Sequence, residues 1–302
     1  MSMRALTSTK VGAPVTHGGI SIFPLFLGSV RTSGAVVADD SLLVSELESA
    51  SVPQLQVTNL KDIPVIIPAG RVLEGGRQTR TVNVTILVPA GATIVIPVSC
   101  VEAGRWHGGS QFQDSKRVAG RNVRMAKQRG VKRNIDTYGM KSSDQSEVWS
   151  SISMELQTRK IEHQSDSYLA ADSYVEHDAR LYTALNDFMN EPLVPGQTGI
   201  AVAYGDKVVG IEVFTTPEDL SASWHTLLRS AILDSPNDLA ADTSVGISDV
   251  EAFLADVAAQ EATVAPGTGL GTEYHVANER VVAHALADEA GEIMHAYAFV
   301  EI

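Results

Sequence analysis

Cysteine is almost missing from this chain: Cys100 is the one thiol in 302 residues. A single cysteine excludes an internal disulfide framework and a cysteine-rich zinc site. No apolar run approaches the ~18–20 residues needed to span a bilayer. The N-terminal stretch MSMRALTSTKVG lacks the apolar core of a signal peptide. These absences read as a cytoplasmic chain with no membrane partner. Catalytic fingerprints are missing too. There is no Gly-x-Ser-x-Gly elbow and no kinase or Rossmann pattern. His275, His284 and His295 lack the spacing of a His-Glu-x-x-His zinc helix, and alternation puts His295 on the face of Tyr297 and Phe299, where a packed ring is expected. The glycine-rich PGTGLGTEY lacks the Gly-Lys-Ser/Thr ending of a phosphate loop and reads as a turn. No metal site is expected, and no cofactor is assigned.

What is present is an ample core. Apolar residues make up 44% and charged residues 20%, the balance of a globular protein of one large or two ordinary domains. The net charge is −13, which makes nucleic acid an unexpected partner. The charge is uneven, however. Between Ala103 and Asn134 nine basic residues face only Asp114, a segment of about +8. An island of that sign can receive an anionic ligand or an acidic protein partner.

Short β-branched runs separated by Asn, Asp, Pro and Gly turns fill the N-terminal third, from GGISIFPLF to TIVIPVSCVE. Their spacing predicts a β-sandwich-like sheet layer over 15–106. The polar, basic stretch 107–145 reads as a long loop, partly helical. Over 146–302 two helical stripes, Val148/Ile152/Leu156 and Leu181/Leu185/Phe188, precede an α+β part. That part holds two hairpins, one turning at Gly205–Asp206 and one in VVAHALADEAGEIMHAYAF, and a helix opening at TTPEDL with Thr216 as N-cap and Pro217 first. The fold class is α+β, with the parts expected to pack as one unit.

Chemistry concentrates in GRQTRTVNVTILVPAGATIVIPVSCVEAGRW, Gly76 to Trp106. Parity places Gln78, Arg80, Val82, Val84, Ile86 and Val88 on one face, and Ile94 to Glu102 in steps of two on another. Pairing these runs as a hairpin predicts Val88 opposite Ile94 and a cross-strand ion pair of Arg80 with Glu102. Pro97 predicts a locally unpaired side. Cys100 falls on an apolar face and reads as a buried, inert thiol. The end of this hairpin, with Glu74, Arg77, Gln78, Arg80, Glu102, Arg105, Trp106 and His107, is either a structural salt bridge or a ligand site. Arginine forks and a tryptophan face suit a phosphate with a base or ribose attached.

This segment, VWSSI, the run from PLVPGQTGI to LLRSAILDS and the terminal GTEYHV to HAYAF resemble the ARG and rhodanese-phosphatase-superfamily-associated protein domain family, where ARG stands for ADP-ribosylglycohydrolase. The resemblance covers most of the chain from about residue 20, and GRQTR with PVSCVEAGRW carries it most specifically. Members have an acidic E-G-E-E-L-x-G-A-K-Q-N-R where this chain has AGRVLEGGRQTR, so only Glu74, Gln78 and Arg80 carry over. No acidic metal-binding role is carried with them. The resemblance implies no characterised activity; the family's name implies association with ADP-ribose-processing proteins.

Three readings follow. The first is a binding module for an anionic nucleotide, ADP-ribose or NAD-derived, with Arg80 and Arg105 on phosphate, Trp106 stacked and Glu102 orienting. The second is an enzyme on such a ligand with Glu102 as general acid or base, helped by His107 or Glu74. The third is a scaffold whose basic loop 110–134 docks an acidic partner.

Overall fold

A computed structural model of the chain describes residues 3–28, 34–39, 41–49, 51–162, 166–240 and 244–301. The fold is α+β. Its strands begin with β1 (Lys10–Val11), β2 (Val15–His17), β3 (Ile20–Phe26), β4 (Val36–Val37), β5 (Leu42–Ser45) and β6 (Gln54–Asn59). They continue with β7 (Val65–Ile67), β8 (Arg71–Gly75), β9 (Arg80–Val82), β10 (Ile86–Val88), β11 (Thr93–Cys100) and β12 (Gln111–Val118). Four helices come next: α1 (Arg121–Tyr138), α2 (Gln145–Thr158), α3 (Tyr168–Ser173) and α4 (Ala179–Asn190). The C-terminal part is β13 (Gly199–Tyr204), β14 (Lys207–Phe214), α5 (Pro217–Leu233), α6 (Ile247–Ala259), β15 (Thr263–Pro266), β16 (Thr272–Ala277), β17 (Val282–Ala287) and β18 (Ile293–Phe299).

A nine-stranded antiparallel sheet runs β1-β3-β13-β14-β18-β17-β16-β15, with β2 added beside β3. Both faces are covered, so β13, β17 and β18 are buried along their whole length and their sequences show no polar alternation. Parity still sorts the side chains. Ile200 and Val202 enter the core shared with α2, α4 and α5, whereas Ala201 and Ala203 enter the one shared with α6. Ala283, Ala285, Ala296 and Ala298 join them there, and this small-residue floor lets Val250, Leu254 and Val257 of α6 sit close to the sheet. The helices α2 and α4 bury the apolar positions their spacing predicts, and Thr216 caps α5 by accepting from Asp219 N at 3.1 Å.

The remaining strands depart from the sandwich-like layer expected for 15–106. Six of them close into a barrel, β11-β6-β5-β12-β8-β9, around Val44, Leu55, Val57, Leu73, Val82, Ile96, Val98 and Phe112. A three-stranded sheet, β10-β7-β4, flanks it, while β3 belongs to the large sheet. Closure pairs the strand edges that an open layer would leave exposed.

The expected hairpin also changes. Arg80 lies opposite Cys100 and Val82 opposite Val98, a register two residues from the one predicted. Ladder pairing with β11 ends at Val82; Asn83 N still donates to Pro97 O at 3.0 Å, while its side chain accepts from Ser99 Oγ of β11 at 2.5 Å and donates to Lys141 O at 3.0 Å. Strand β10 then pairs with β7, placing Val88 against Val65, and Ile94 pairs with Val57. Pro97 marks the point where β11 changes partners, from β6 (Thr93–Pro97) to β9 (Val98–Cys100).

The stretch read as a long, partly helical loop is the barrel strand β12 and the 18-residue helix α1. Half of α1's buried residues are polar or charged, Arg121, Arg124, Lys127 and Gln128, so apolar side chains alone do not carry its helical period.

Candidate functional site

The chemistry-bearing residues of the sequence converge on one rim of the barrel. Glu74 is the penultimate residue of β8, Arg77 and Gln78 lie in the following loop, Arg80 opens β9, and Glu102 to His107 follow β11. Gly75 and Gly76 shape the turn. Gly76 has φ +51°, and a Cβ there would lie 2.0 Å from Phe112 Cζ, so only glycine lets the loop close over that ring.

Glu102 organises the loop. Its Oε1 accepts from Arg105 Nε at 2.8 Å, and its Oε2 accepts from Arg105 Nη2 at 2.7 Å, Thr79 N at 3.0 Å and Thr79 Oγ1 at 2.9 Å. Burial opposes ionisation, but these donors outweigh it and bring the carboxyl down to about 2. At neutral pH Glu102 is therefore a carboxylate with no proton to give. Arg105 is spent in turn: Nη1 donates to Gly76 O and His107 O, and Nη2 also to Gly75 O. The Arg80–Glu102 ion pair is thus replaced by a local one, since Arg105 three residues on reaches Glu102 with both prongs of its fork.

Arg80 is 0% exposed. Its Nη1 donates to Gln78 O at 3.0 Å and Gln78 Oε1 at 3.2 Å, while Nε and Nη2 have no hydrogen-bond partner. Gln78 is fixed by its own donation to Glu102 O. Above this cation lies Trp106, 44% exposed, whose ring centroid is 5.7 Å from the Arg80 guanidinium and 5.5 Å from that of exposed Arg77. Glu46, which the sequence reading missed, accepts from Arg77 N with Oε1 and leaves Oε2 buried without a partner. Only the fold brings it here, from 31 residues upstream.

The other candidates are peripheral. Glu74 is half-buried at the end of β8, and His107 is exposed. The Cys100 thiol is buried, donates to Glu102 O at 3.0 Å, and is pushed up by burial, which makes it a poor nucleophile.

The basic island is turned largely inward. Arg124 makes a bidentate pair with Glu212 at 2.6 and 3.0 Å, and its guanidinium lies 4.2 Å from the Tyr297 ring centroid. Arg117 pairs with Asp172, and Arg121 donates to Val300 O. Lys127 donates to Val82 O at 2.5 Å. Around them His295 bridges Glu212 Oε1 (2.9 Å) and Thr85 Oγ1 (2.7 Å), and His284 Nε2 accepts from Thr85 N at 3.0 Å. This network ties the loop after β9 and helix α1 to the large sheet. Its histidines are 0% exposed and serve to join these elements internally. The outward cations, Arg129, Lys132 and Arg133, pair with Glu301, Asp136 and Asp144/Glu147, which weakens the case for a free cationic docking face. Among the described residues no group of three His, Cys, Asp or Glu is arranged to hold a metal ion, and no helix is long and apolar enough to cross a membrane.

No curated protein and no solved structure matches the chain. A family model does, over nearly its whole length. From residue 8 to residue 299 the chain belongs to the ARG and Rhodanese-Phosphatase-superfamily-associated Protein domain family.

Proposed function

We propose that the barrel rim binds a small anion carrying a planar group, of the ADP-ribose or NAD-derived type, for sensing or sequestration. One observation carries this reading: Arg80 is fully buried with Nε and Nη2 unbonded, directly beside an exposed tryptophan that a second arginine also overlies. A buried guanidinium with free donors is costly unless an acceptor completes it. The exposed Trp106 ring offers a stacking face for a base, and Arg77 an exposed fork for phosphate. Arg105 and Glu102 act as the brace that holds the loop. The ADP-ribose class is favoured by the family's association with ADP-ribosylglycohydrolases. Calorimetry with ADP-ribose, NAD and cyclic nucleotides tests the reading. Binding of at least one is expected, weakened at least about tenfold (~1.4 kcal/mol) by Trp106→Ala and by Arg77→Ala with the melting temperature unchanged. No binding by any of them overturns it.

A further inference from the structure

A cavity of about 430 Å³ opens through the barrel wall away from the rim. Strand pairing explains it. Strands β5 and β12 are joined only at Ser45–Gln111 and Val44–Phe112. Beyond that point β12 follows β8, with Asp114 opposite Leu73, while β5 follows β6, with Leu42 opposite Asn59. The two strands part and leave a slot lined by Leu42, Val44, Ile67, Leu73 and Phe112. Phe112, whose ring lies against Gly76, separates the slot from the rim.

One cation lines this apolar slot. Arg71 is 5% exposed, gives Nε to Asp114 Oδ1 at 2.8 Å and Nη2 to Asp114 Oδ2, and among the described residues its Nη1 makes no hydrogen bond. The two carboxylates at the slot are already engaged. Asp114 also accepts from Lys116 N, and Asp39 pairs with Lys61 at 2.7 Å and accepts from Ser41 N. Arg71 Nη1 is therefore a spare donor at the slot, whose other polar lining residues are exposed Gln113 and the engaged Asp39 and Asp114. A chamber of this size with an apolar wall and a few placed polar groups is the usual form of a small-molecule site.

We infer that the slot between β5 and β12 binds a small apolar carboxylate, its hydrocarbon body among Leu42, Val44, Ile67, Leu73 and Phe112 and its carboxylate on Arg71 Nη1. Calorimetric titration with 2-naphthoate, and with 1-naphthylmethylammonium as a probe of the same size and opposite charge, tests this. Saturable one-site binding of naphthoate is expected, with the ammonium at least about tenfold weaker because Arg71 repels it. Leu42→Trp, which fills the slot, should weaken naphthoate at least about tenfold while leaving nucleotide binding at the rim unchanged. If that variant does not fold, Leu42→Gln, which puts an amide into the apolar wall at a partly exposed position, is read instead. Absence of saturable naphthoate binding, equal binding of the ammonium, or full binding by the folded slot variant each overturns the inference.

Discussion

Glu102 holds Arg105 with both carboxylate oxygens, at 2.8 Å to Nε and 2.7 Å to Nη2, and through Thr79 it holds the opposite loop as well. Two loops of the rim are thus fastened by one carboxylate. That geometry makes Glu102 a brace: an anion held by four donors orders both loops.

Glu102→Gln keeps the shape and removes the charge. It leaves one amide oxygen to serve donors now shared by two, with Arg105 partly unpaired. A loss of about 1–3 kcal/mol is expected, from weakening charge-assisted hydrogen bonds in a partly buried setting. Urea denaturation reads it directly. A variant as stable as the parent would show that the pair fastens nothing.

Gly76→Ala tests the turn beneath the rim. The added methyl meets the Phe112 ring at 2.0 Å, and φ is +51°, so both sterics and backbone oppose it. Together these should cost about 2–4 kcal/mol. A thermal melt should show a large fall, and Gly76→Ala combined with Phe112→Leu should recover part of it by freeing space.

Local signals were legible and distant ones were not. The Thr216–Pro217–Glu218–Asp219 start of α5 and the Gly205–Asp206 turn are set by adjacent residues, and both stand where the sequence puts them. Helix α1 was obscured because Arg124 and Gln128 find their partners in Glu212 and Ala283, 88 and 155 residues away. Apolar periodicity cannot register a face built that way. The named rim residues lie at one end of the barrel, while Arg80 stands two residues from its predicted register. A slip of two residues preserves which face each side chain occupies, so parity alone could not detect it. The chain instead turns to pair β10 with β7, a partner set by Val65 to Ile67 well upstream.

The buried network makes acid the direction of instability. Burial, and the neighbouring His275, His295, Lys127 and Lys141, hold His284 neutral, well below its ordinary 6.5. Below about pH 6.5 the unfolded chain therefore takes up a proton at this position that the folded one refuses, and stability falls. Glu212 acts in the same sense at lower pH. Burial raises its carboxyl, but Arg124 and His295 bring it down to about 2, so the stability it contributes above pH 4.5 is lost as pH falls through 2. The urea midpoint should drop between pH 7.5 and 5.5. In His284→Gln the slope across that window should flatten, and an unchanged slope would remove His284 as its source.

Lys127 gives the opposite lesson about buried charge. Its amine is 0% exposed and donates to Val82 O, with no carboxylate in hydrogen-bond reach. Burial first, then the nearby Arg124, hold its proton affinity far below the ordinary 10.5. From about pH 10.5 downward the unfolded chain binds this proton more readily than the folded one, so at neutral pH the residue costs stability. The Val82 carbonyl does not depend on it, because Gly70 N also donates there at 2.9 Å. Lys127→Met keeps the length and apolar stem and leaves no acceptor orphaned. A gain of about 1–2 kcal/mol at pH 7 is expected, in line with apolar replacement of poorly compensated buried charge. The gain should shrink toward pH 10, where the unfolded lysine begins to lose its proton. Parallel urea titrations of both proteins at pH 7 and pH 10 measure the two differences, and a destabilised Met variant would mean that the amine is held by more than one carbonyl.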